Sequence, residues 1–240
     1  MFNKDWKLNE ITNPYSIWIV DNFLEQKVID NIDKNWVSQD SELWGSGYAE
    51  VGGEKNILED GMRWLNDYDL MPYEISYVLK YFHTNDFTEK LGKLTNVDGL
   101  ITDESRNWSG MRTMLPNSHQ LIHSDARTHP ENGLRRELTC LLYVNKDYDR
   151  KRDEGCLEVW NDDMSKKIDE IEPIYNRFVV FCNTDTAHHG VPLVGESERR
   201  SLTFGVLKDA ESGGRTKALF KAREEDDESV SEIAEKRLEV

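Results

Sequence analysis

Seven short strand-like runs in the second half of the chain constrain the fold more than any other sequence feature. Each run combines apolar and β-branched residues over a few positions, and turn-forming residues separate one run from the next. Many short strands with frequent turn signals are typical of a closed or double-sheet β architecture. The runs cover residues 108–115, 120–125, 138–145, 156–160, 168–174, 177–183 and 201–207.

Helical periodicity dominates the first part of the chain, after a strand-like run at 16–20. For the first helix, Asp21 and Asn22 are candidate N-cap residues, because their side chains can accept hydrogen bonds from free backbone N–H groups. Pro72 suits the first turn of a later helix, where its missing N–H costs nothing. The periodicity predicts helices within 23–36, 72–82 and 87–94.

Residues 41–63 are rich in Gly, Ser and Glu, and we predict a long loop or irregular hairpin there. Loops of this length are often functional, so this segment is a candidate lid over a binding site. Several large aromatic residues in or beyond it could line a substrate groove. Because such residues are more often part of a core, the core interpretation is favoured for Trp44, Tyr48, Trp64 and Trp160.

Composition restricts the classes of function that need to be considered. The net charge of −16 argues against general binding to nucleic-acid backbones, which requires surfaces rich in Lys and Arg. No apolar run is long enough for a membrane span, and the first residues do not resemble a signal peptide. The three cysteines have no metal-binding spacing, so we expect buried thiols in the reducing cytoplasm.

Two histidines and one aspartate provide a ligand set for a metal. His123 and Asp125 are two residues apart on a predicted strand, so both side chains point to the same face. With a distant histidine, they could hold non-heme Fe(II) on one face and leave other positions open for chemistry. A zinc ion bound by the same residues could instead support hydrolysis, and chance placement in a barrel without a metal is a further alternative.

The ordered set His123-x-Asp125, His189, Arg199-x-Ser201 resembles the Fe(II)/2-oxoglutarate-dependent dioxygenases. Segments 137–149 and 154–160 resemble the prolyl 4-hydroxylase-like branch, which includes the hypoxia-inducible-factor prolyl hydroxylases. The resemblance covers roughly residues 108 to 207. It implies a mainly β fold with flanking helices, built on a double-stranded β-helix or jelly-roll core that carries the metal in its mouth.

The resemblance also assigns the metal ligands, which are the catalytic residues: His123, Asp125 and His189. The neighbouring His188 is less suitable, because the liganding histidine of the family directly precedes Gly-Val or Glu-Val. Related halogenases replace the carboxylate with a small residue. The presence of Asp125 therefore implies hydroxylation.

2-Oxoglutarate requires a cation for its far carboxylate, and a guanidinium can bind it through two charge-assisted hydrogen bonds. By resemblance this cation is Arg199, with Ser201 and the hydroxyl of Tyr143 as further contacts. Strand alternation places Arg199 and Ser201 on one face and Arg200 on the other. The orientation of Arg112, on the strand before His123, stays open.

The implied reaction is hydroxylation of an aliphatic C–H, with 2-oxoglutarate and O2 consumed and succinate and CO2 released. The cofactor is Fe(II), and ascorbate is a candidate stimulant. The leading substrate is a prolyl residue in a peptide or protein. One alternative is a free amino acid, sugar or other small metabolite, and an alternative from another class is a non-catalytic metal-binding β-barrel module.

We predict a single oxygenase domain over residues 1–240. It comprises an N-terminal α/β support region at about 1–99, the jelly-roll core at about 100–207 and an acidic C-terminal tail at about 208–240. The charge run at 223–228 and the apolar residues Val230, Ile233 and Leu238 allow at most a short terminal helix. We expect residues 224–240 to be peripheral and dispensable for chemistry, with a contact of these apolar residues to a hydrophobic patch or to a dimer partner as the alternative.

Overall fold

The computed structural model describes residues 1–4, 7–46, 57–209, 214–226, 230–232 and 234. Within these residues the fold is mainly β, with antiparallel strand pairs and a few flanking helices. The strands are β1 Lys7–Ile11, β2 Ile17–Asp21, β3 Gly45–Ser46, β4 Met62–Leu65, β5 Leu100–Ile101, β6 Gly110–Met114, β7 Gln120–Ser124, β8 Arg135–Tyr143, β9 Leu157–Trp160, β10 Lys167–Ile171, β11 Phe178–Cys182, β12 His189–Val191, β13 Arg199–Lys208 and β14 Leu219–Lys221. The helices are α1 Gln26–Lys34, α2 Tyr73–Phe82, α3 Asn85–Thr95 and α4 Arg150–Asp153.

Two sheets form the core and face each other as a double-stranded β-helix. The larger sheet has the order β1-β2-β11-β8-β13-β6-β4-β3, with β5 paired to β13. The smaller sheet has the order β10-β9-β12-β7-β14. Strands that are distant in sequence therefore become neighbours, and this arrangement brings segments from both halves of the chain to one cavity.

The larger sheet is covered on both faces, which explains why β2 and β11 are apolar almost throughout. Ile17 and Ile19 of β2 pack in the cluster between the sheets. The alternate residues Trp18 and Val20 belong to a second cluster, which includes side chains from α1, α2 and α3. The helices therefore cover one face of this sheet and the smaller sheet covers the other.

Two of the predicted helices form as expected. Pro72 immediately precedes α2, and the hydroxyl of Thr84 caps α3 by accepting a hydrogen bond from the backbone N–H of Phe87. The predicted cap of α1 is wrong. Asn22 lies in the left-handed region with φ +55°, and the helix begins only at Gln26. The turn is held instead by Asn176, which accepts hydrogen bonds from the next two backbone N–H groups.

Of the segment predicted as a loop or hairpin, the described parts form an antiparallel hairpin. β3 pairs with β4, and β4 continues the larger sheet beside β6. A short 3-10 turn, Ile57–Glu59, precedes β4. The candidate lid falls largely on residues 47–56, which lie outside the described residues together with Tyr48.

All seven predicted strand regions contain strands. The strands that sequence reasoning missed are short or lie outside the main pattern, and they include β1, β12 and β14. The segment after residue 207 contributes a further strand that the sequence patterns did not indicate. Leu219–Lys221 form β14, which pairs with β7 at the edge of the smaller sheet. The aromatic side chain of Phe220 supplies the apolar contact that anchors this strand, and Ala234 is buried in the same cluster.

None of the helices in the described segments combines the length and apolar character needed to cross a membrane.

Candidate active site

A cavity of about 610 Å³ lies between the two sheets. Its walls come from strands of both sheets and from the segment that carries β14. It contains every residue that the sequence analysis assigned to the metal and most of those assigned to 2-oxoglutarate. The lining includes His123, Asp125, His189, Arg199, Ser201, Thr203, Met114, Arg112, Arg136, Thr139, Trp108, Glu59 and Phe220.

The two histidines lie opposite each other on neighbouring strands of the smaller sheet. His123 on β7 pairs in register with His189 on β12, and their ring centroids are 4.2 Å apart. Asp125 follows directly after β7. One potential ligand atom from each of these three residues lies within 4.8 Å of the others. Three residues that are far apart in sequence can therefore contact a single ion.

Backbone carbonyl groups decide which nitrogen of each imidazole carries the proton. Nδ1 of His123 donates a hydrogen bond to the carbonyl of Leu121 at 2.9 Å, and Nδ1 of His189 donates to the carbonyl of Ala187 at 2.9 Å. In a neutral imidazole this leaves the lone pair on Nε2, the atom that binds metals. Both rings thus present an unprotonated nitrogen for coordination.

Burial also keeps both histidines neutral. It lowers the pKa of His123 to about 3, with the nearby His189 adding to the effect. Burial likewise lowers the pKa of His189. A ligand must be deprotonated before it can bind a metal, so at neutral pH neither histidine has to release a proton first.

Asp125 is held as a carboxylate by its neighbours. Burial alone would raise the pKa of Asp125, but the Arg136 guanidinium, the two histidines and the Thr139 hydroxyl together lower it to about 2. An Arg136 nitrogen lies 3.2 Å from one carboxylate oxygen, and the Thr139 hydroxyl donates to that oxygen at 3.0 Å. The other oxygen is 3.8 Å from Nε2 of His123.

His188 is turned away from this group. Its Nε2 lies 3.0 Å from the carbonyl of Asp162, and its own carbonyl accepts hydrogen bonds from Tyr15 and Trp160. Adjacent residues on an extended backbone point to opposite sides. Of the two neighbouring histidines, His189 is the one that faces the cavity.

Arg199 is a buried cation, 6% exposed, in the wall of the same cavity. Its Nη2 donates to the Tyr143 hydroxyl at 2.9 Å, and its Nε donates to the carbonyl of Gly155 at 2.8 Å. Gly155 has φ +62°, a conformation that favours glycine, and an added Cβ would meet Arg199 Cδ at 3.4 Å. Glycine therefore suits the backbone conformation from which this carbonyl accepts the Arg199 hydrogen bond.

Strand alternation on β13 has the predicted consequence. Arg199, Ser201 and Thr203 all line the cavity, and Ser201 pairs in register with Tyr143 on β8. Arg200 points to the other face, where it contacts Glu198 and Asp33. Arg112, whose orientation the sequence left open, also lines the cavity and donates to the side chain of Asn66 at 2.6 Å.

Several residues at the site were not found by sequence reasoning. Arg136 beside Asp125 is one, and the strand pattern alone would place it on the opposite face. Trp108 stacks beneath the Arg136 guanidinium, which lies 4.9 Å from its ring centroid. Phe220 is another, since it lies beyond the last strand that the sequence predicted. Of the aromatics considered for a groove, the three in the described residues, Trp44, Trp64 and Trp160, do not line this cavity.

The donor set fits Fe(II) by its chemistry. Two neutral imidazoles and one carboxylate form the facial ligand set of non-heme iron oxygenases, which leaves positions open for a chelating co-substrate and O2. The buried Arg199 guanidinium supplies donors for a carboxylate in the same cavity, and Tyr143, which does not itself line the cavity, accepts one of its hydrogen bonds. The residues therefore fit both the metal and 2-oxoglutarate.

Comparisons with known proteins agree with this chemistry. The profile of the family described as "2OG-Fe(II) oxygenase superfamily" matches residues 110–205, a segment that contains every candidate ligand. No curated protein sequence matches the chain.

Three solved structures of prolyl hydroxylases share the fold. A Pseudomonas putida prolyl-4-hydroxylase aligns with TM-score 0.58 and 18% identity over 81% of this chain and 92% of its own. A Trichoplax adhaerens prolyl hydroxylase, solved with a hypoxia-inducible-factor peptide, aligns with TM-score 0.57 and 16% identity over 80% and 83%. A viral collagen prolyl hydroxylase from Paramecium Bursaria Chlorella virus-1 aligns with TM-score 0.50 and 12% identity over 80% and 96%.

At such identities these likenesses establish a common fold, while the family profile and the donor set carry the chemistry. Residues 110–205 therefore combine a match to the 2OG-Fe(II) oxygenase superfamily with the donor set of an Fe(II)- and 2-oxoglutarate-dependent dioxygenase, on the double-stranded β-helix fold that is also found in prolyl 4-hydroxylases.

Proposed function

We propose that this enzyme hydroxylates a prolyl residue in a peptide or protein, with release of succinate and CO2. The observation that supports this most is the convergence of the His123, Asp125 and His189 side chains with a buried arginine in one cavity. The prolyl substrate is suggested by the fold, which is shared with a bacterial prolyl-4-hydroxylase and with a prolyl hydroxylase solved with its peptide.

In this proposal His123, Asp125 and His189 are the catalytic metal ligands. When bound, Fe(II) with 2-oxoglutarate supplies the oxidising chemistry. The chain supplies two neutral imidazoles and one carboxylate, and the Arg136 guanidinium and Thr139 hydroxyl orient that carboxylate. Fixing the ligands in advance reduces the reorganisation needed on binding.

Arg199 binds the far carboxylate of 2-oxoglutarate, and the hydroxyls of Tyr143 and Ser201 complete this contact. The guanidinium is already oriented by Gly155 and Tyr143. A charge-assisted pair in a buried site is stronger than the same pair in water. These residues therefore determine the affinity for the co-substrate and the direction in which it enters.

We further propose that residues 1–240 act as one oxygenase domain, because β1 to β4 from the N-terminal region belong to the same sheet as the core strands. A reducing compartment such as the cytoplasm would suit the protein, since Cys140, Cys156 and Cys182 are all free thiols.

The test is oxygen-dependent conversion of 2-oxoglutarate to succinate in the presence of candidate substrates, followed by mass spectrometry of each substrate. The proposal expects proline-containing peptides to gain one oxygen atom, and peptides with alanine in place of proline to remain unchanged. Oxygen incorporation into free amino acids or sugars, with no reaction of any peptide, would replace the prolyl substrate by a small metabolite. Absence of 2-oxoglutarate turnover with every substrate would favour a binding module.

A further inference from the structure

A segment after the last core strand closes one side of the cavity. Residues 214–226, which we call the strap, contain β14 and lie along β7 at the edge of the smaller sheet. Thr216, Lys217, Ala218 and Phe220 of the strap line the cavity. The family profile ends at residue 205 and therefore does not describe the strap.

The strap is attached at both ends. At its start, the carbonyl of Arg215 accepts hydrogen bonds from the backbone N–H groups of Arg127 and Thr128 at 2.8 and 3.1 Å. At its far end, Arg223 forms an ion pair with Glu158 at 2.6 Å, with both side chains 4% exposed. Arg223 also donates to the carbonyl of Gln120 at 3.0 Å. The first attachment is to the segment that follows Asp125, and the second joins the strap to β9 and β7.

Between these attachments, Phe220 lies directly opposite His123. The two residues are register partners on β14 and β7. Their rings are nearly parallel, with an interplanar angle of 16° and centroids 5.1 Å apart. Phe220 is held in turn by an apolar cluster that contains Leu58, Leu121 and Ala234.

This contact bears on the orientation of the His123 ring. The torsion about the Cβ–Cγ bond of histidine is broad, so a ring is oriented by its surroundings and not by a strong rotamer preference. The hydrogen bond to the Leu121 carbonyl decides which nitrogen faces the metal. It does not by itself define the tilt of the ring, whereas a flat aromatic surface packed on its face does.

We propose that Phe220 is a positioning residue for His123 and that the strap completes the metal site. The inference rests on the proposed role of His123 as a metal ligand. Outer contacts of a metal ligand typically change metal affinity by about ten- to a hundredfold when they are removed. The sequence motif of the family, which ends before the strap, does not account for this part of the site.

The test is titration of the protein with Co(II), a visible probe for the iron site, followed by the dissociation constant and the absorption spectrum. For Phe220→Ala we expect about tenfold weaker binding and an altered spectrum. Phe220→Leu keeps apolar volume without the flat face, so it should show a smaller loss with the same spectral change. The matched control is Leu219→Ala, on the other face of the same strand and opposite Ser124, which should bind as the wild type does.

Thermal unfolding of each variant shows whether it is folded before the titration. If Phe220→Ala does not fold, the comparison of Phe220→Leu with Leu219→Ala decides the question. The inference is overturned if the folded Phe220 variants bind Co(II) with wild-type affinity and spectrum, or if Leu219→Ala has the same effect as they do.

A further arm separates this inference from the proposed function. His123→Ala should lose most Co(II) affinity if His123 is a ligand. If His123→Ala binds normally, the ligand assignment fails and the role of Phe220 fails with it. If His123→Ala loses the metal while the Phe220 variants do not, the ligand assignment stands and only the role of Phe220 is wrong.

Discussion

At the scale of single residues, the proposed metal site uses His123, Asp125 and His189, and His189 has to be distinguished from the adjacent His188. His123→Ala, Asp125→Ala and His189→Ala should each abolish 2-oxoglutarate turnover, because each removes one of the three donors in the cavity. His188→Ala is the matched control and should remain active, since that ring faces the Asp162 carbonyl. Succinate formation measures the outcome, and an inactive His188→Ala beside an active His189→Ala would reverse the assignment.

The pair Arg199 and Arg200 offers a similar comparison for the co-substrate. Removing one partner of a buried, hydrogen-bonded charge pair costs about 2–5 kcal/mol, or roughly thirtyfold to several-thousandfold in affinity. Arg199→Ala should therefore weaken 2-oxoglutarate binding by an amount in this range, measured by calorimetry with Fe(II) under anaerobic conditions. Arg200→Ala should have little effect, because Arg200 contacts Glu198 and Asp33 on the other face. Equal losses would contradict the proposed role.

His83 lies outside the site and makes the stability of the folded protein depend on pH. Burial, with a smaller effect of the Arg106 charge, lowers the pKa of His83 from 6.5 to about 4, although Asp103 opposes the change. Between these values the unfolded chain binds a proton that the folded protein does not. The stabilisation that comes from a neutral His83 is therefore fully present in the free energy of unfolding above pH 6.5, and it is lost as the pH falls through about 4.

Denaturant unfolding at several pH values tests this prediction. The free energy of unfolding of the wild type should fall on acidification by on the order of 2–3 kcal/mol more than that of His83→Gln. The buried histidines of the metal site contribute to the slope in both proteins, so the difference isolates His83. Identical pH profiles for the two proteins would show that His83 has an ordinary pKa.

At the scale of elements, the strap is the part of the molecule whose role is least apparent from its composition. Arg223→Ala would leave the buried Glu158 carboxylate without its main partner, a change that usually costs about 3–5 kcal/mol of stability. We expect the lower end of that range, since Lys167 lies 3.6 Å from the same carboxylate. Lys221→Ala, on an exposed side chain of the same strap, is the control and should change the free energy of unfolding little. Unchanged stability of Arg223→Ala would mean that the strap is not held by this pair.

Elements were predictable from the sequence where a single pattern extended over several residues. The strands at 110–114, 135–143 and 199–208 follow from alternation and turn signals. β12 and β14 contain only three residues each, too few for a pattern to stand out. β14 also follows a polar stretch and precedes a charge run, so its apolar anchor, Phe220, appears isolated in the sequence.

At the scale of the whole molecule, the grouping of His123, Asp125, His189 and Arg199 in one cavity could be predicted because it follows from residue type and order. Arg136 could not. Val206 of β13 pairs with Leu138 of β8, but the next residue, Leu207, pairs with Arg136. One residue of β8 is therefore left unpaired, and such a bulge reverses the face to which side chains beyond it point. Arg136 therefore faces the same cavity as Thr139, three positions further along, which strict alternation does not allow. Only the three-dimensional pairing of the strands reveals that Asp125 has a cationic neighbour.

Anaerobic binding of 2-oxoglutarate, measured with and without Fe(II), shows whether the three ligands and Arg199 act together. We predict that Fe(II) strengthens 2-oxoglutarate binding to the wild type, and that the strengthening is lost in Asp125→Ala and His189→Ala. Arg199→Ala should weaken binding even when Fe(II) is bound. Binding of 2-oxoglutarate that is independent of Fe(II), or that survives loss of both His189 and Arg199, would show that this site does not bind the co-substrate as proposed.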